Sequence, residues 1–276
     1  MREEGERDHK PHSQRVVAHP VISTADFQIH RHSYPPDLRQ ERHAHGSTNV
    51  TLVLSGVLRE RVGSMEEQAS PLSVVVKPAG VEHADVVGPR TCRTAQLVLS
   101  DTFLGDAIQR GGLGEWRWLH ARPVAAAMAR LLQFARRSPA PDVEEVEGQV
   151  LDVVALLCNS VEPRSSEPPS WLQRVKQSVD DQLDRSVPVR ALAEATGVHP
   201  VSLARAFRRC YGTTVTEYRT RERVKRAAAC LAESGSPIGR IAHATGFSDH
   251  SHLCREFQCA AGVTPSRFRE MARQWS

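Results

Sequence analysis

Three histidines near the start of the chain are placed where they could act together. His43 and His45 flank Ala44, and residues two apart on a β-strand face the same way. His83 closes the stretch Pro78-Ala79-Gly80-Val81-Glu82-His83. A hairpin that brought it opposite the first pair would gather three imidazoles, a suitable ligand set for Zn²⁺, Fe²⁺ or Ni²⁺. The same trio, with Asn49, equally suits the lining of a pocket for an organic effector, or plain core and surface histidines. All three readings stay open.

A second group of side chains suits contact with nucleic acid. Val201, Ser202, Ala204 and Arg205 lie in one segment, and His250, Ser251, His252, Cys254 and Arg255 in another. Arg and His hydrogen-bond base edges, Ser reads either way, and Ala or Val can touch the thymine methyl. Arg208, Arg209, Arg219, Arg221, Arg223 and Arg269 are expected as phosphate contacts, which position a protein on DNA without specifying sequence.

These segments belong to an internal repeat. Leu203, Arg205, Phe207, Gly212, Thr214 and Arg219 recur as Leu253, Arg255, Phe257, Gly262, Thr264 and Arg269, and Tyr218 recurs as Phe268. Just upstream, Leu192-Ala193 matches Ile241-Ala242 and Ala195-Thr196-Gly197 matches Ala244-Thr245-Gly246, so the second turn has one extra residue. Each copy has a short helix with a small residue for close approach and a Gly suited to the left-handed conformation. A second helix follows, anchored by Leu-x-x-x-Phe. Those are the parts of a helix-turn-helix, expected at residues 189–209 and 238–259. Between the copies, Val215 to Ala232 is nearly free of Gly and Pro and reads as one continuous helix. It would hold two recognition helices for successive major-groove segments, about 34 Å apart on B-DNA.

Charge follows the same division. From Trp171 onward there are 17 Lys and Arg against 10 Asp and Glu, a balance of +7; residues 1–170 hold 19 against 22, a balance of −3. Basic charge is concentrated where phosphate neutralisation needs it.

The remaining organisation is α+β. Residues 21–120 read as a small all-β barrel, from apolar runs such as Val50 to Leu54, Ser73 to Val76 and Gln96 to Leu99 bounded by Gly, Pro and Ser. Within 121–161, helical stripes run through Ala127, Leu131 and Ala135 and through Val146, Val150, Val153 and Leu157. Those helices would pair with a second copy in a homodimer or pack within the chain. The Pro/Ser-rich stretch 162–170 reads as a flexible linker separating two domains with their own cores, with 171–276 as the second domain.

Residues 1–20 carry no apolar core of a signal segment and read as a disordered tail, so the expected location is cytoplasmic. No apolar run approaches the ~20 residues that span a bilayer. Six cysteines with no C-x-x-C argue against a zinc cluster and read as buried reduced thiols.

The stretch Pro188 to Arg269 resembles the DNA-binding domain of the AraC/XylS family of transcription regulators. The resemblance rests on Ile241-Ala242, Gly246-Phe247-Ser248-Asp249, Ser251, Leu253, Arg255, Phe257, Gly262, Thr264-Pro265 and Phe268-Arg269. The first copy departs by having Val215 where Pro265 stands in the second. By that resemblance the residues on the two recognition segments read bases, and double-stranded DNA and RNA polymerase are partners. The His43-x-His45 and Pro78 to His83 segments look like the two motifs of a cupin barrel, which in such regulators is the sensory domain for a small-molecule effector. Asn49 stands where metal-binding cupins place Glu.

The expected function is therefore a sequence-specific, effector-responsive transcription regulator rather than an enzyme. The alternative is a metal-dependent cupin oxygenase or isomerase carrying a DNA-binding domain. A DNA-repair reading lacks its cysteine cluster.

Overall fold

In the computed structural model the described residues are 16–105, 113–120, 123–137, 139–159, 168–185 and 187–273. Most of the expected tail, 1–15, and most of the expected linker, 162–167, lie outside them.

Among the described residues the N-terminal half has ten strands: β1 (Val17–Ser23), β2 (Phe27–Tyr34), β3 (Arg39–His43), β4 (Thr48–Ser55), β5 (Leu58–Val62), β6 (Met65–Ala69), β7 (Ser73–Lys77), β8 (His83–Val87), β9 (Cys92–Leu99) and β10 (Arg117–His120). They form a six-stranded sheet in the order β1-β2-β9-β4-β7-β10 and a four-stranded sheet in the order β3-β8-β5-β6. All pairings are antiparallel.

The barrel begins earlier than the sequence suggested. Val17 to Pro20 belong to β1, where backbone pairing with His30 to Ser33 of β2 orders a segment that has no apolar face of its own.

The unbroken apolar run of β4 is explained by burial on both faces. Val53 points into the barrel beside Val75 and Leu58, while Val50, Leu52 and Leu54 point outward into a larger cluster shared with helices. β5 alternates properly, yet its inward side chains are Leu58 and the charged Glu60, with Arg59 and Arg61 in solvent.

After the short α1 (Asp101–Leu104), the helices are α2 (Pro123–Ala135), α3 (Val143–Asn159), α4 (Ser170–Asp181), α5 (Val189–Thr196), α6 (Pro200–Tyr211), α7 (Val215–Glu233), α8 (Ile238–Ala244), α9 (His250–Ala261) and α10 (Pro265–Arg273). Both helix-turn-helix units are present, each second helix running about half a turn beyond the expected end. Ser170, placed in the linker by sequence, opens α4.

The two-domain α+β architecture stands, but the two cores are not wholly separate. One apolar cluster joins the outer face of β4 and β7, helices α2 and α3, the Val224 to Leu231 face of α7, and the Leu253 and Phe257 anchors of the second unit. The first unit has its own cluster, around Leu172, Val175, Leu192, Leu203 and Phe207. The core boundary thus falls between the two helix-turn-helix units and not at the linker. The stripes of α2 and α3 are consumed by packing within the chain, leaving Val143 and Leu151 exposed on α3. The cysteines are free, with Cys92 and Cys210 buried and Cys259 exposed, so the expectation of uniformly buried thiols is also corrected.

Two glycines at matching repeat positions differ in consequence. Gly212 and Gly262 both close their helices at positive φ, 67° and 70°. Around Gly212 an added Cβ would meet nothing within 4 Å, whereas at Gly262 it would lie 2.6 Å from the Ala126 carbonyl oxygen of α2. Gly212→Ala is expected to cost about 1 to 2 kcal/mol for the left-handed backbone alone. Gly262→Ala is expected to cost clearly more, because α2 must move off α9. Equal shifts of the two variants in urea denaturation would contradict this joint.

Candidate nucleic-acid interface and barrel pocket

Each recognition helix is set by a turn and a cap. α5 ends at Gly197 in the left-handed region, φ 69°, and His199 caps α6 by accepting the Val201 N–H on Nδ1 at 3.3 Å. In the second copy Gly246 turns the chain at φ 85°, and the Asp249 carboxylate accepts the His252 N–H at 2.8 Å. Those cap hydrogen bonds hold the Asp249 carboxyl below its ordinary range. Neither cap was singled out in the sequence, although Asp249 before an apolar-periodic segment is a recognisable N-cap signal.

With Leu203 and Phe207 buried, α6 exposes Val201, Ser202, Ala204, Arg205, Arg208 and Arg209. With Leu253 and Phe257 buried, α9 exposes His250, Ser251 and Arg255, and Cys254 is half-buried with Sγ 3.6 Å from His250 Nε2. His252 is half-buried, its ring packed edge-on against Phe247 and its Nδ1 3.0 Å from Ser248 Oγ.

The expected phosphate contacts divide sharply. Arg208 and Arg209 are exposed at the end of α6. Arg219 donates through Nη2 to the Val187 carbonyl at 2.5 Å, and its repeat partner Arg269 donates to the Ser236 carbonyl at 2.6 Å. These acceptors stand at matching points just ahead of α5 and α8. The repeated arginine is therefore a latch that fixes how the first helix of each unit begins, and it recurs because the scaffold recurs.

Arg223 likewise donates to the carbonyls of Leu183, at 2.7 Å, and Arg185, at 3.1 Å, tying down the chain after α4. Arg221 lies over the Tyr218 ring, 5.0 Å from its centroid, and 3.4 Å from Glu222. Arg219, Arg221, Arg223 and Arg269 are thus corrected from phosphate contacts to internal ties. Each spends part of its guanidinium on the protein itself, although Arg269 Nε has no hydrogen-bond partner among the described residues.

The barrel gathers the three histidines. The His43 and His83 rings are 4.2 Å apart, His45 and His83 4.9 Å, and His43 and His45 5.2 Å between centroids. One ring nitrogen from each lies within 4.8 Å of the others. Nδ1–H of His43 donates to the Glu41 carbonyl at 2.9 Å, and that of His83 to the Val81 carbonyl at 3.2 Å. A carbonyl only accepts, so each ring carries a proton on Nδ1, and in the neutral tautomer that this selects the lone pair is on Nε2. Burial, then the Lys77 charge, lowers the His45 pKa to about 4, and the same causes in the same order lower His83. At neutral pH both present uncharged imidazoles.

His43 and His45 border a cavity of about 380 Å³ whose lining also includes His30, His32, Asn49 and Lys77, with His83 buried behind them. The floor was not foreseen. Lys77, 2% exposed, forms an ion pair with Glu60 and lies 3.6 Å from Asp85. Trp118 Nε1–H donates to Glu60 at 3.0 Å. Burial opposes the Lys77 charge, but the two carboxylates outweigh it and raise the pKa; burial raises that of Glu60. Among the described residues, His83 Nε2 and Asp85 Oδ1 are buried without a hydrogen-bond partner. The period-two pattern, placing Glu60 on the same face as Leu58 and Val62, was the available signal for this network.

Comparison with known proteins matches this geometry to a family. The helix-turn-helix domain family matches residues 192–271. The chain is 32% identical over 94 residues to a probable transcription factor, PqrA, of Proteus vulgaris, covering 33% of this chain and 77% of the relative. It is 26% identical over 118 residues to the bifunctional transcriptional activator/DNA repair enzyme AdaA of Bacillus subtilis, covering 42% of this chain and 56% of the relative. Over 94 residues it is 29% identical to the arabinose operon regulatory protein of Escherichia coli, covering 34% and 32%. The chain belongs to the AraC-type family of helix-turn-helix transcription regulators. The match spans about half the length of the first curated relatives. Among the described residues no helix is long and apolar enough to cross a membrane.

Two kinds of arginine predict two kinds of loss. Arg219→Met and Arg269→Met are expected to lower stability by about 1.5 to 3 kcal/mol each, the range for hydrogen bonds to charged groups. Neither should change the salt dependence of DNA binding. Arg209→Ala is expected to leave stability unchanged and reduce that salt slope by about 1. Thermal denaturation and binding measured across a salt series check both.

Proposed function

We propose that the chain is a sequence-specific transcription regulator that binds double-stranded DNA through α6 and α9 and responds to a small-molecule effector in the barrel. The observation that carries this reading is the pairing of matching scaffolds with unlike exposed faces on one continuous helix, α7. α6 presents Val201, Ser202, Ala204 and Arg205, while α9 presents His250, Ser251, Cys254 and Arg255. Arg205 and Arg255 are the base readers, and Arg208 and Arg209 supply phosphate contacts beside α6. Unequal faces imply an asymmetric site for one chain.

Selection of bound fragments from random DNA tests the whole reading and should return two unlike half-sites about one helical turn apart. Against the selected site, Arg255→Ala is expected to cost about 1 to 3 kcal/mol and to relax preference at one position. An equal loss on random DNA would remove the base-reading role.

The cavity bordered by His30, His32, His43 and His45 is the effector site in this reading. The neutral imidazoles of His32 and His45 and the amides of Asn49 and Gln96 suit a small polar ligand. The buried Lys77 network braces its floor.

A metal reading is favoured by one specific feature, the two Nδ1 hydrogen bonds that free Nε2 of His43 and His83. These residues and His45 would hold a divalent transition metal, which would supply a Lewis-acid contact to an effector oxygen. Asn49 offers no carboxylate to accompany it, and in this reading the metal serves effector binding. Zn²⁺ and Ni²⁺ titration of the full chain should show one site, lost in His43→Ala with His45→Ala, if the metal is bound. No saturable uptake would assign the trio to the organic ligand alone.

RNA polymerase as a partner, cytoplasmic location and a homodimer through the exposed side of α3 complete the reading.

A further inference from the structure

The barrel cavity is not the largest opening in the molecule. A groove of about 870 Å³ lies where α2 and α3 meet the two helix-turn-helix units, and no barrel strand contributes to it. That volume falls within the span of ordinary small-molecule sites, roughly 300 to 1,000 Å³. From these walls we propose that the groove is a second ligand site, selective for a small amphipathic organic anion.

The apolar part comes from four separate elements: Ala126 from α2, Leu156 from α3, Val224 from α7, and Ala260 from α9. The hydroxyls of Thr216 and Thr220 on α7 add polar points along one side. The charged groups on the walls are unequal in availability. Glu217 is consumed by the cap of α7, accepting from the Thr214 N–H at 2.9 Å and from the Thr213 hydroxyl at 3.1 Å. Glu256 stands 3.9 Å from Arg255. Arg221 is paired with Glu222 and stacked on Tyr218.

Arg130 differs from all of these. It is exposed and makes no ion pair or hydrogen bond with the described residues. Its guanidinium rests on the backbone at the end of α9, so close that a Cβ at Gly262 would lie 2.8 Å from Nη1. One unengaged cation beside an apolar floor complements a molecule with an apolar body and one carboxylate or sulfonate.

The position gives such a ligand a regulatory consequence. One wall belongs to the helices packed on the barrel, and the other to α7, α9 and the turn at Gly212 and Thr213 that leaves α6. A ligand touching both walls binds one relative placement of them better than another, and by linkage DNA binding and ligand binding alter each other.

The test uses the full chain and 8-anilinonaphthalene-1-sulfonate, an amphipathic sulfonate that fluoresces in apolar sites. The expected result is saturable binding of one dye per chain, weakened at least tenfold in Arg130→Glu and abolished in Thr216→Trp, which fills the groove from an exposed position. Unchanged thermal denaturation of both variants would exclude unfolding as the cause of the loss. Dye binding retained in both variants would overturn the proposal. So would displacement by inorganic sulfate at equal concentration, which would reduce the site to a point charge. Binding lost in His45→Ala but kept in Arg130→Glu would move the dye to the barrel and also overturn it. None of these outcomes depends on DNA binding, so they leave the regulatory reading to its own test.

Discussion

The close seating of α2 against the end of α9 governs how the molecule is put together. The Ala126 carbonyl approaches so near to Gly262 that no side chain fits there, and the left-handed backbone of Gly262 is what lets α9 stop at that point. Around this contact the outer face of β4, the helices α2 and α3, and the anchors Leu253 and Phe257 merge into one apolar core. The second helix-turn-helix unit is therefore part of the same packed body as the barrel. Close-packed interiors transmit displacement rather than absorb it, so movement in the barrel wall has a short path to α9.

The first unit is held differently. Its core around Leu203 and Phe207 is separate, and it is secured chiefly through α7. Arg219, Arg223 and Arg226 bind backbone carbonyls of Val187, of Leu183 and Arg185, and of Asp180 respectively. Tyr218 adds a hydrogen bond from its hydroxyl to Asp180 at 2.7 Å. α7 is thus a beam whose apolar face lies on the barrel and second unit and whose arginines grip the first. An arrangement of this kind permits the two recognition helices to differ in freedom while keeping one connection.

Inside the barrel the dominant constraint is electrostatic. A fully buried ammonium is tolerable because Glu60 and Asp85 surround it, and removing any partner would strand charge in an apolar interior. This network fixes the floor beneath the histidines, whose rings are oriented in turn by backbone carbonyls at Glu41 and Val81. The polar cavity and its rim are therefore preorganised by a network that reaches from the lining residues Lys77 and Asp85 to Glu60 behind them.

Local and periodic features were legible in the sequence. The two helix-turn-helix scaffolds, the long helix between them, the strand-rich first half and the shared face of His43 and His45 all follow from spacing, because helix and strand periods are properties of neighbouring residues. What depends on distant partners was not legible. Matching glycines look alike in sequence, yet Gly197 and Gly212 are open while Gly246 meets Leu183 and Gly262 meets Ala126. Arg219 and Arg269 look like surface cations, yet each is turned to a carbonyl more than thirty positions away in the chain. Lys77 meets Glu60 only when β5 and β7 face each other across the barrel, and the His252 ring meets Phe247 only when the turn brings them together. By itself the sequence determined which elements form and which faces are apolar. Tertiary structure alone decided which polar side chains are engaged within the protein and which stay free for a ligand, since desolvation and partnership are set by contacts between segments far apart in the chain.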